Sequence, residues 1–288
     1  MQNSPAGSLK KLLQQDSILT MPCCFDPMSA KLVEAAGFDL SFMSGFSTAA
    51  ARLGMPDTGL ISYGEMVDQG RNINSAVSIP VIGDGDTGYG NALNVKRTVR
   101  GYAQAGFAGI LIEDQQWPKR CGHTKGKQVV EFDEALARIR AAVDARDEGA
   151  DILIMARTDA RAILGLDEAL RRAEAFAKAG ADMLFVEAPR SEEEMYRICR
   201  EVPGIHMANM VEDGETPLTP PDVLEEMGFR IVAYPLTLLS VAIKSMQEAL
   251  AMMKNGQHPK DRMLSFAELR KAVGFDDYYD EEARYSSR

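Results

Sequence analysis

The stretch IPVIGDGDTGYGNALNVKRTVRGYAQAGFAGILIED (79–114) contains two short apolar runs on either side of an amphipathic segment. The runs cover 79–84 and 109–114 and hardly alternate with polar residues, as is typical of strands buried on both faces of a parallel sheet. The segment between them, 91–106, has helical periodicity and ends at Gly106, a residue type that favours a left-handed helix C-cap. The stretch therefore predicts one strand–helix–strand unit with parallel strands.

The same pattern recurs along the chain. Six further apolar runs are ILTMPCC (18–24), DLSFMS (39–44), ILIMAR (152–157), MLFVEA (183–188), HMANM (206–210) and RIVAY (230–234). Helical segments at 29–37, 166–180 and 240–256 also end in glycine, at Gly37, Gly180 and Gly256, and two pairs have capping-box spacing, Ser62 with Glu65 and Ser191 with Glu194. Eight strand–helix repeats predict an α/β fold, a closed (β/α)₈ TIM barrel; a doubly wound open sheet is the alternative, but it usually has fewer strands.

The length of 288 residues fits two domains of about 150 residues, or one large barrel. Because no Pro/Gly/Ser-rich linker divides the chain, we predict a single barrel domain over 1–288 with a C-terminal helical extension from about residue 257. The part at 265–288 carries surplus apolar residues, which pack either on a neighbouring subunit or on the same one. These residues are Phe266, Leu269, Val273, Phe275, Tyr278 and Tyr279.

The formal net charge is −10, which argues against general nucleic-acid binding and against attraction to an anionic lipid surface. The sequence contains no run of about 20 apolar residues and no secretory signal pattern, so we expect no membrane partner. Its four cysteines include no Cys-x-x-Cys pair. We therefore expect a reduced, cytoplasmic protein.

Polar residues follow nearly every predicted strand, at the end where a parallel barrel builds its active site. They are Asp26, Ser44, Gly45, Asp84, Asp86, Glu113, Asp114, Arg157, Asp159, Glu187, Asn209, Glu212 and Tyr234. A single such residue is usually a helix cap or a solvated loop side chain, but the repeated coincidence favours one shared polar site.

Four of the acidic residues form a candidate metal site. Asp84 and Asp86 are two positions apart in an extended segment and point the same way, and Glu113 and Asp57 come from nearby loops or strand ends. Oxygen ligands without His or Cys suit Mg²⁺ or Mn²⁺. The same carboxylates would repel the pyrophosphate that the G-x-G-x-x-G spacing at 83–88 otherwise indicates. In the alternative interpretation, the four acids only form ion pairs with Lys119, Arg120 or Arg157.

The segment 114–128 is a long loop without periodicity, a type that often closes over an active site. It is basic in an acidic protein and therefore suits a small anionic substrate. Neighbouring cations stabilise a thiolate, which favours a reactive role for Cys121 over that of an incidental exposed thiol. The neighbours are Lys119, Arg120, His123, Lys125 and Lys127.

The loop motif KRCGH (119–123) and several longer segments resemble the isocitrate lyase / phosphoenolpyruvate mutase superfamily. The other segments are SGFSTAAARLGMPDTGL (44–60), GDGDTGYGNALNVKRTV (83–99), ARTDA (156–160), FVEAP (185–189), MANM (207–210) and AYPL (233–236). KRCGH is typical of the carbon–carbon lyases of that superfamily, whereas the phosphonate mutases lack this cysteine. The chain is most similar to the group of petal death protein, 2,3-dimethylmalate lyase and methylisocitrate lyase, although Val186 stands where methylisocitrate lyases carry proline.

The resemblance implies a role for each candidate residue. Asp86 would anchor Mg²⁺, and Asp57, Asp84 and Glu113 would hold its waters. The substrate-binding residues would be Ser44, Gly45, Phe46, Gly122, His123, Arg157, Glu187 and Asn209. The catalytic group would comprise Cys121 as acid–base residue, together with Arg157, His123 and Lys119. The family is usually a homotetramer in which the eighth helix is exchanged between subunits.

These inferences predict a Mg²⁺-dependent lyase that cleaves 2-hydroxy di- or tricarboxylates, of 2-alkylmalate or 2-methylisocitrate type, by a retro-aldol reaction. The products would be a 2-oxo acid such as pyruvate and a carboxylic acid. Three alternatives remain: an oxaloacetate hydrolase or decarboxylase on the same scaffold, a phosphonate mutase, and a binding protein without catalytic activity.

Overall fold

The computed structural model describes residues 4–122 and 126–286. Each of the eight predicted strands is present. They are β1 (Leu19–Cys24), β2 (Ser41–Met43), β3 (Val81–Asp84), β4 (Gly109–Glu113), β5 (Leu153–Thr158), β6 (Met183–Val186), β7 (Met207–Asn209) and β8 (Ile231–Tyr234). All pairings are parallel, in the order β6-β5-β4-β3-β2-β1-β8-β7, and a bridge between Leu184 and His206 joins the two ends. The predicted (β/α)₈ barrel is therefore confirmed.

Helices follow each strand and cover the outside of the sheet. The helices of the barrel region are α1 (Pro5–Leu12), α2 (Pro27–Ala35), α3 (Gly45–Leu53), α4 (Tyr63–Ala76), α5 (Ala92–Gln104), α6 (Phe132–Asp147), α7 (Ala160–Leu164), α8 (Leu166–Lys178), α9 (Glu192–Glu201) and α10 (Pro221–Met227). Further along the chain lie α11 (Thr237–Lys254), a 3₁₀ turn (Lys260–Arg262), α12 (Phe266–Val273) and α13 (Phe275–Tyr285).

The predicted helix caps and glycine helix ends are confirmed, with one exception. Gly37, Gly106, Gly180 and Gly256 all have positive φ, between 72° and 100°. Ser62 and Glu65 form a reciprocal capping box. At the start of α9 the prediction is half wrong. Ser191 caps the backbone of Glu194, but the Glu194 carboxylate binds the Arg161 guanidinium instead of returning to Ser191.

Alternate residues of the strands fill the barrel interior. Leu19, Met21 and Cys23 of β1 belong to this inner core, as do Met183 and Phe185 of β6. The intervening residues pack under the helices in a separate core. Sequence patterning does not predict α1, which places Leu9 and Leu13 in the inner core with Leu19, near the strands' amino ends. The opposite, carboxyl end of the barrel is the end that carries the polar residues.

The chain divides into two compact units, Met1–Leu238 and Leu239–Arg288. The second unit contains most of α11 together with α12 and α13, whereas we placed the start of the extension near residue 257, and the single-domain interpretation stays a prediction. In the single chain this unit exposes large apolar side chains, including Met246, Leu250, Met253, Phe266, Tyr278 and Tyr285. Among the described helices, none is long and apolar enough to cross a membrane.

Candidate active site

A cavity of about 600 Å³ opens at the carboxyl end of the barrel. Every strand contributes at least one residue to its lining, in chain order Cys23, Phe42, Asp84, Glu113, Arg157, Phe185, Met207 and Ala233. Ser44, Phe46, Asp57, Lys119, Arg120, Cys121, Gly122, Glu187 and Asn209 complete much of the wall. The structure thus brings nearly all sequence-predicted site residues to one cavity.

The carboxylates at the end of β3 are held by the backbone around them. Asp84 Oδ1 accepts a hydrogen bond from the Asp86 amide (3.0 Å), and its Oδ2 accepts one from the Gly45 amide (3.2 Å). A Cβ at position 45 would lie 2.5 Å from Asp84 Oδ2, so this approach requires glycine. The Gly45 amide, predicted as a substrate ligand, therefore has an internal partner in this structure.

Lys119 lies between two of the predicted metal ligands. Its Nζ is 2.5 Å from Asp57 Oδ1 and 2.6 Å from Asp86 Oδ1, and all three side chains are buried. This is the ion pairing that the alternative interpretation describes. Glu113 faces Arg157 instead, with 3.3 Å between Glu113 Oε2 and Arg157 Nε. Arg120, the third proposed cation, is exposed.

Burial sets the electrostatics of this acidic group. It raises the pKa of Asp86 to about 7, an effect that the Lys119 cation only partly offsets and that Asp84 and Asp57 reinforce. Burial also disfavours the charged form of Lys119, but the surrounding carboxylates outweigh it and hold the lysine pKa well above its usual value. Buried carboxylates of this kind are stabilised by any further cation placed among them.

Two observations bear on whether the acids suit a metal ion. Within residues 4–122 and 126–286, no three Asp, Glu, His or Cys side chains converge as a ready ligand set. Asp86 Oδ2 and Glu113 Oε1 are nevertheless buried oxygens without a hydrogen-bond donor in that part of the chain. Since Mg²⁺ often takes only one or two protein carboxylates and keeps several waters, this donor set fits it.

Arg157 is fixed at the end of β5 by three acidic side chains. Asp159 accepts from both its Nε (2.8 Å) and its Nη2 (3.0 Å), and Glu187 Oε2 lies 2.9 Å from Nη2. Burial disfavours the charged form, but Asp159, Glu187 and Glu113 outweigh it and raise the Arg157 pKa well above its usual value. The guanidinium is therefore a permanent, immobile positive charge in the cavity wall.

Residues 119–122 of the KRCGH loop line the cavity. Cys121 is half-buried and lines it, and the Gly122 backbone is so close to the wall that a Cβ there would lie 2.4 Å from Glu187 Oε2. The Asn209 amide lies 3.5 Å from both Glu187 carboxylate oxygens. Ser44 lines the cavity and caps α3 by accepting from the Ser47 amide (3.2 Å). His123 lies outside the described residues.

The sequence analysis did not identify the residues that hold this loop. It also did not predict the apolar part of the cavity wall. The Gln115 side chain binds both backbone groups of Arg120, at 2.9 and 2.8 Å. Phe185 and Met207 line the cavity two positions before Glu187 and Asn209. Period-two spacing within each strand could have identified these apolar neighbours, because residues i and i+2 share a face.

The sequence profile of one known family, phosphoenolpyruvate phosphomutase, matches residues 9–254. The chain belongs to this family. Among its members, 2,3-dimethylmalate lyase of Eubacterium barkeri is 43% identical over 285 residues, which cover 98% of both chains. Petal death protein of Dianthus caryophyllus is 38% identical, covering 97% of this chain and 89% of its own. 2-Methylisocitrate lyase of Bacillus subtilis (strain 168) is 38% identical, with coverages of 98% and 92%. The resemblance inferred from the sequence is confirmed.

Solved structures of this superfamily agree with the barrel over nearly its full length. A crystal structure of 2,3-dimethylmalate lyase has a TM-score of 0.94 at 37% identity, covering 99% of this chain and 96% of that one. Oxaloacetate acetylhydrolase in complex with 3,3-difluorooxalacetate has a TM-score of 0.93 at 35% identity, covering 99% of each chain. Phosphonopyruvate hydrolase in complex with oxalate and Mg²⁺ has a TM-score of 0.86 at 31% identity, with coverages of 98% and 99%.

Proposed function

We propose that this family member is a Mg²⁺-dependent carbon–carbon lyase acting on 2-hydroxy dicarboxylates of the 2-alkylmalate or 2-methylisocitrate type. The observation that carries the proposal is one cavity at the carboxyl end of the barrel whose wall includes Cys121, Arg157 and the Asp57 and Asp84 carboxylates. Asp86 is paired to Lys119, which also belongs to that wall. The names of two relatives support the same chemistry, since both are lyases of such acids.

Asp86 would hold the metal, with Asp57, Asp84 and Glu113 binding its waters. The buried oxygens Asp86 Oδ2 and Glu113 Oε1, which have no donor among the described residues, support this assignment. When bound, Mg²⁺ would supply positive charge that attracts an anionic substrate and lowers the pKa of a substrate hydroxyl.

The chain's own residues would carry the other parts of the reaction. The 2-hydroxyl proton would pass to a carboxylate of the cavity wall, which later returns it to the Cys121 thiolate. The hydroxyl oxygen then forms a carbonyl while the C2–C3 bond breaks, and the electron pair of that bond leaves on the carboxylate product as an enolate. The fixed charge of Arg157 would stabilise the negative charge that builds up during this step. Cys121 would then donate a proton to the enolate carbon, and the loop would keep bulk water away from it.

Ser44 and Phe46 lie at the first turn of α3, near the substrate's proposed carboxylate site. The amino end of a helix carries partial positive charge, which suits a carboxylate. Glu187 and Asn209 would orient the substrate, and His123 keeps its predicted role there. Lys119 would act on the reaction by balancing the charge of Asp57 and Asp86.

The apolar part of the cavity supports a substrate with alkyl substituents. Its wall includes Phe42, Phe46, Leu111, Phe185, Met207, Val211, Pro235 and Leu236. Burying a methyl group against such a surface contributes roughly 0.8 kcal/mol per carbon. A malate backbone with small alkyl groups at C2 or C3 matches both the polar and the apolar halves of the wall.

Hydrolysis of oxaloacetate is a second candidate, because the barrel resembles oxaloacetate acetylhydrolase almost as closely as the lyase structure. Cys121 argues against a phosphonate mutase. A panel of 2,3-dimethylmalate, 2-ethylmalate, 2-methylisocitrate, isocitrate and oxaloacetate, incubated with Mg²⁺-loaded protein, separates these functions. We expect a 2-oxo acid from at least one of the 2-alkylated substrates. Acetate and oxalate from oxaloacetate alone would reassign the protein as a hydrolase, and no turnover of any member would favour the binding protein.

The proposal also covers the oligomeric state and the ligand. We propose a homotetramer, supported by the exposed apolar side chains of the second unit, and a small anionic substrate as the principal ligand. The cytoplasmic location stays a prediction.

A further inference from the structure

Lys127 follows the KRCGH motif in sequence, yet its side chain is only 5% exposed. A buried ammonium is costly unless charged or polar partners surround it. Its Nζ lies 3.3 Å from Asp159 Oδ1 and also donates to the backbone carbonyl of Gly122. One cation therefore binds both the end of β5 and the backbone of the loop.

Asp159 is the fixed end of this connection. It is fully buried, its backbone amide donates to Asp114 Oδ1 at 2.9 Å, and its carboxylate accepts two hydrogen bonds from Arg157. The same carboxylate thus holds a cation of the cavity wall and a cation of the loop. Any displacement of Lys127 changes the charge environment of the oxygen that Arg157 also uses.

Gly122 is the loop end of the connection. Its carbonyl accepts from Lys127, and its backbone lies against Glu187 and Arg157 so closely that a Cβ would be 2.4 Å and 2.6 Å from their side chains. Cys121 precedes Gly122 directly and lines the cavity. The bond from Lys127 is therefore placed to set how closely the thiol approaches the wall.

We propose that Lys127 is a positioning residue, whose ammonium ties the Gly122 carbonyl to Asp159 and so holds Cys121 and Arg157 in register across the cavity. The inference rests on the proposed lyase function for its catalytic consequence. Its geometric consequence, restricted access to the Cys121 thiol, does not depend on that function. A lysine that only neutralised Asp159 would contribute to stability without controlling the thiol.

The test replaces Lys127 with methionine, which keeps the length and removes the ammonium, in the full-length Mg²⁺-loaded protein. The first measurement is the rate at which iodoacetamide alkylates Cys121 without substrate, followed by peptide mass spectrometry. It is taken at increasing pH up to the plateau, where the thiol is fully ionised and a change in the ionised fraction no longer contributes to the rate. We expect the plateau alkylation rate of Cys121 to be at least about fivefold faster in Lys127→Met than in the wild type, because access limits the reaction of a covered thiolate.

The second measurement is steady-state turnover of the 2-alkylated substrate found by the panel. We expect kcat to fall about 10- to 100-fold, the range for a misplaced catalytic group, with a much smaller change in KM. Lys127→Arg, which keeps a cation, should recover part of the lost kcat. Lys178→Met is the matched control, because Lys178 is 72% exposed and pairs only with Glu174 on its own helix among the described contacts.

An unchanged plateau alkylation rate together with an unchanged kcat in Lys127→Met would overturn the proposal. A lower melting temperature with both readings unchanged would equally overturn it, because that is the signature of charge neutralisation alone. If Lys127→Met does not fold, Lys127→Gln, whose neutral amide ends one bond short of the Lys127 ammonium and so breaks the tie to Gly122 and Asp159, decides the question by the same two readings. Wild-type protein without lyase turnover would refute the proposed function, while the alkylation rate would still decide the role of Lys127.

Discussion

Nζ of Lys119 lies 2.6 Å from Oδ1 of Asp86, and the two side chains are 3% and 0% exposed. The KRCGH loop thus places its first cation inside the group of carboxylates that we assign to the metal. A protein cation at this point reduces the repulsion among the acids, while other oxygens of the same group keep free lone pairs. Because these two residues are so close, the free energy of unfolding should depend on whether Lys119, Mg²⁺ or both supply positive charge to the carboxylates.

Replacement of Lys119 by methionine should destabilise the metal-free protein. It leaves Asp57 and Asp86 buried without their cation, a change that costs roughly 3–5 kcal/mol when one partner of a buried pair is removed. Mg²⁺ should restore part of this loss, because it supplies charge to the same carboxylates. Urea unfolding with EDTA and with Mg²⁺ measures both effects. Equal stability of variant and wild type in EDTA would contradict the pairing, and Lys178→Met provides the exposed control.

Mg²⁺ affinity should rise with pH until about pH 7. Burial raises the pKa of Asp86 from 3.8 to about 7, so the folded, metal-free protein holds a proton there that Mg²⁺ must displace. Below that value the apparent affinity should fall by up to about tenfold per pH unit. The sign for stability is opposite: this carboxyl favours the metal-free fold at low pH, and the contribution is lost as pH rises through about 7.

Calorimetric Mg²⁺ titrations at about pH 6 and about pH 8 test this linkage. Asp86→Asn serves as the control, because it lacks the titrating proton and should bind Mg²⁺ weakly at both values. An affinity that does not change over this range would show that Asp86 is not the group that competes with the metal.

The strands were predictable from sequence because burial on both faces leaves an unmistakable apolar run, as in Ile110–Ile112 and Met183–Val186. The helix α1 was not, because it buries only Ala6 and Leu9 and precedes the first strand. The return bond of the Ser191–Glu194 capping box also differed from the local spacing, since the Glu194 carboxylate gains a charged hydrogen bond to Arg161 that a backbone amide cannot match.

The gathering of the site's side chains at one end of the barrel was predictable for the same reason that the barrel was, because the carboxyl ends of parallel strands meet there. Their partners were not. Sequence spacing leaves Lys119, Arg120 and Arg157 equally eligible to pair with the acids. The structure selects Lys119 for Asp57 and Asp86 and leaves Arg120 exposed. Which cation pairs with which carboxylate depends on how a loop packs against residues that are distant in sequence.

A methyl group at position 122 should impair the site more than the fold. In Gly122→Ala the Cβ would lie 2.4 Å from Glu187 Oε2 and 2.6 Å from Arg157 Nη2, and those two side chains are buried and paired at 2.9 Å. Because neither can move away freely, the loop must shift, which costs about 10- to 100-fold in kcat for a displacement near 1 Å. Gly64→Ala is the matched control, since its Cβ would meet only Ser62 Oγ at 4.0 Å within helix α4. Equal kcat in the two variants would contradict the close approach.

Replacement of the Cys121 thiol tests the proposed proton donor directly. Cys121→Ser should lower lyase turnover at least about 100-fold, within the range for loss of a positioned acid, because a hydroxyl releases its proton far less readily than a thiol. KM should change little, since Arg157 and the carboxylates remain in place. Cys199→Ser is the matched control: burial raises the pKa of the Cys199 thiol to about 12, and that side chain lies on α9 and does not line the cavity. The measurement is 2-oxo acid release from the best 2-alkylmalate under saturating Mg²⁺. Turnover of Cys121→Ser close to that of Cys199→Ser would remove Cys121 from the reaction and assign the enolate proton to another group or to water.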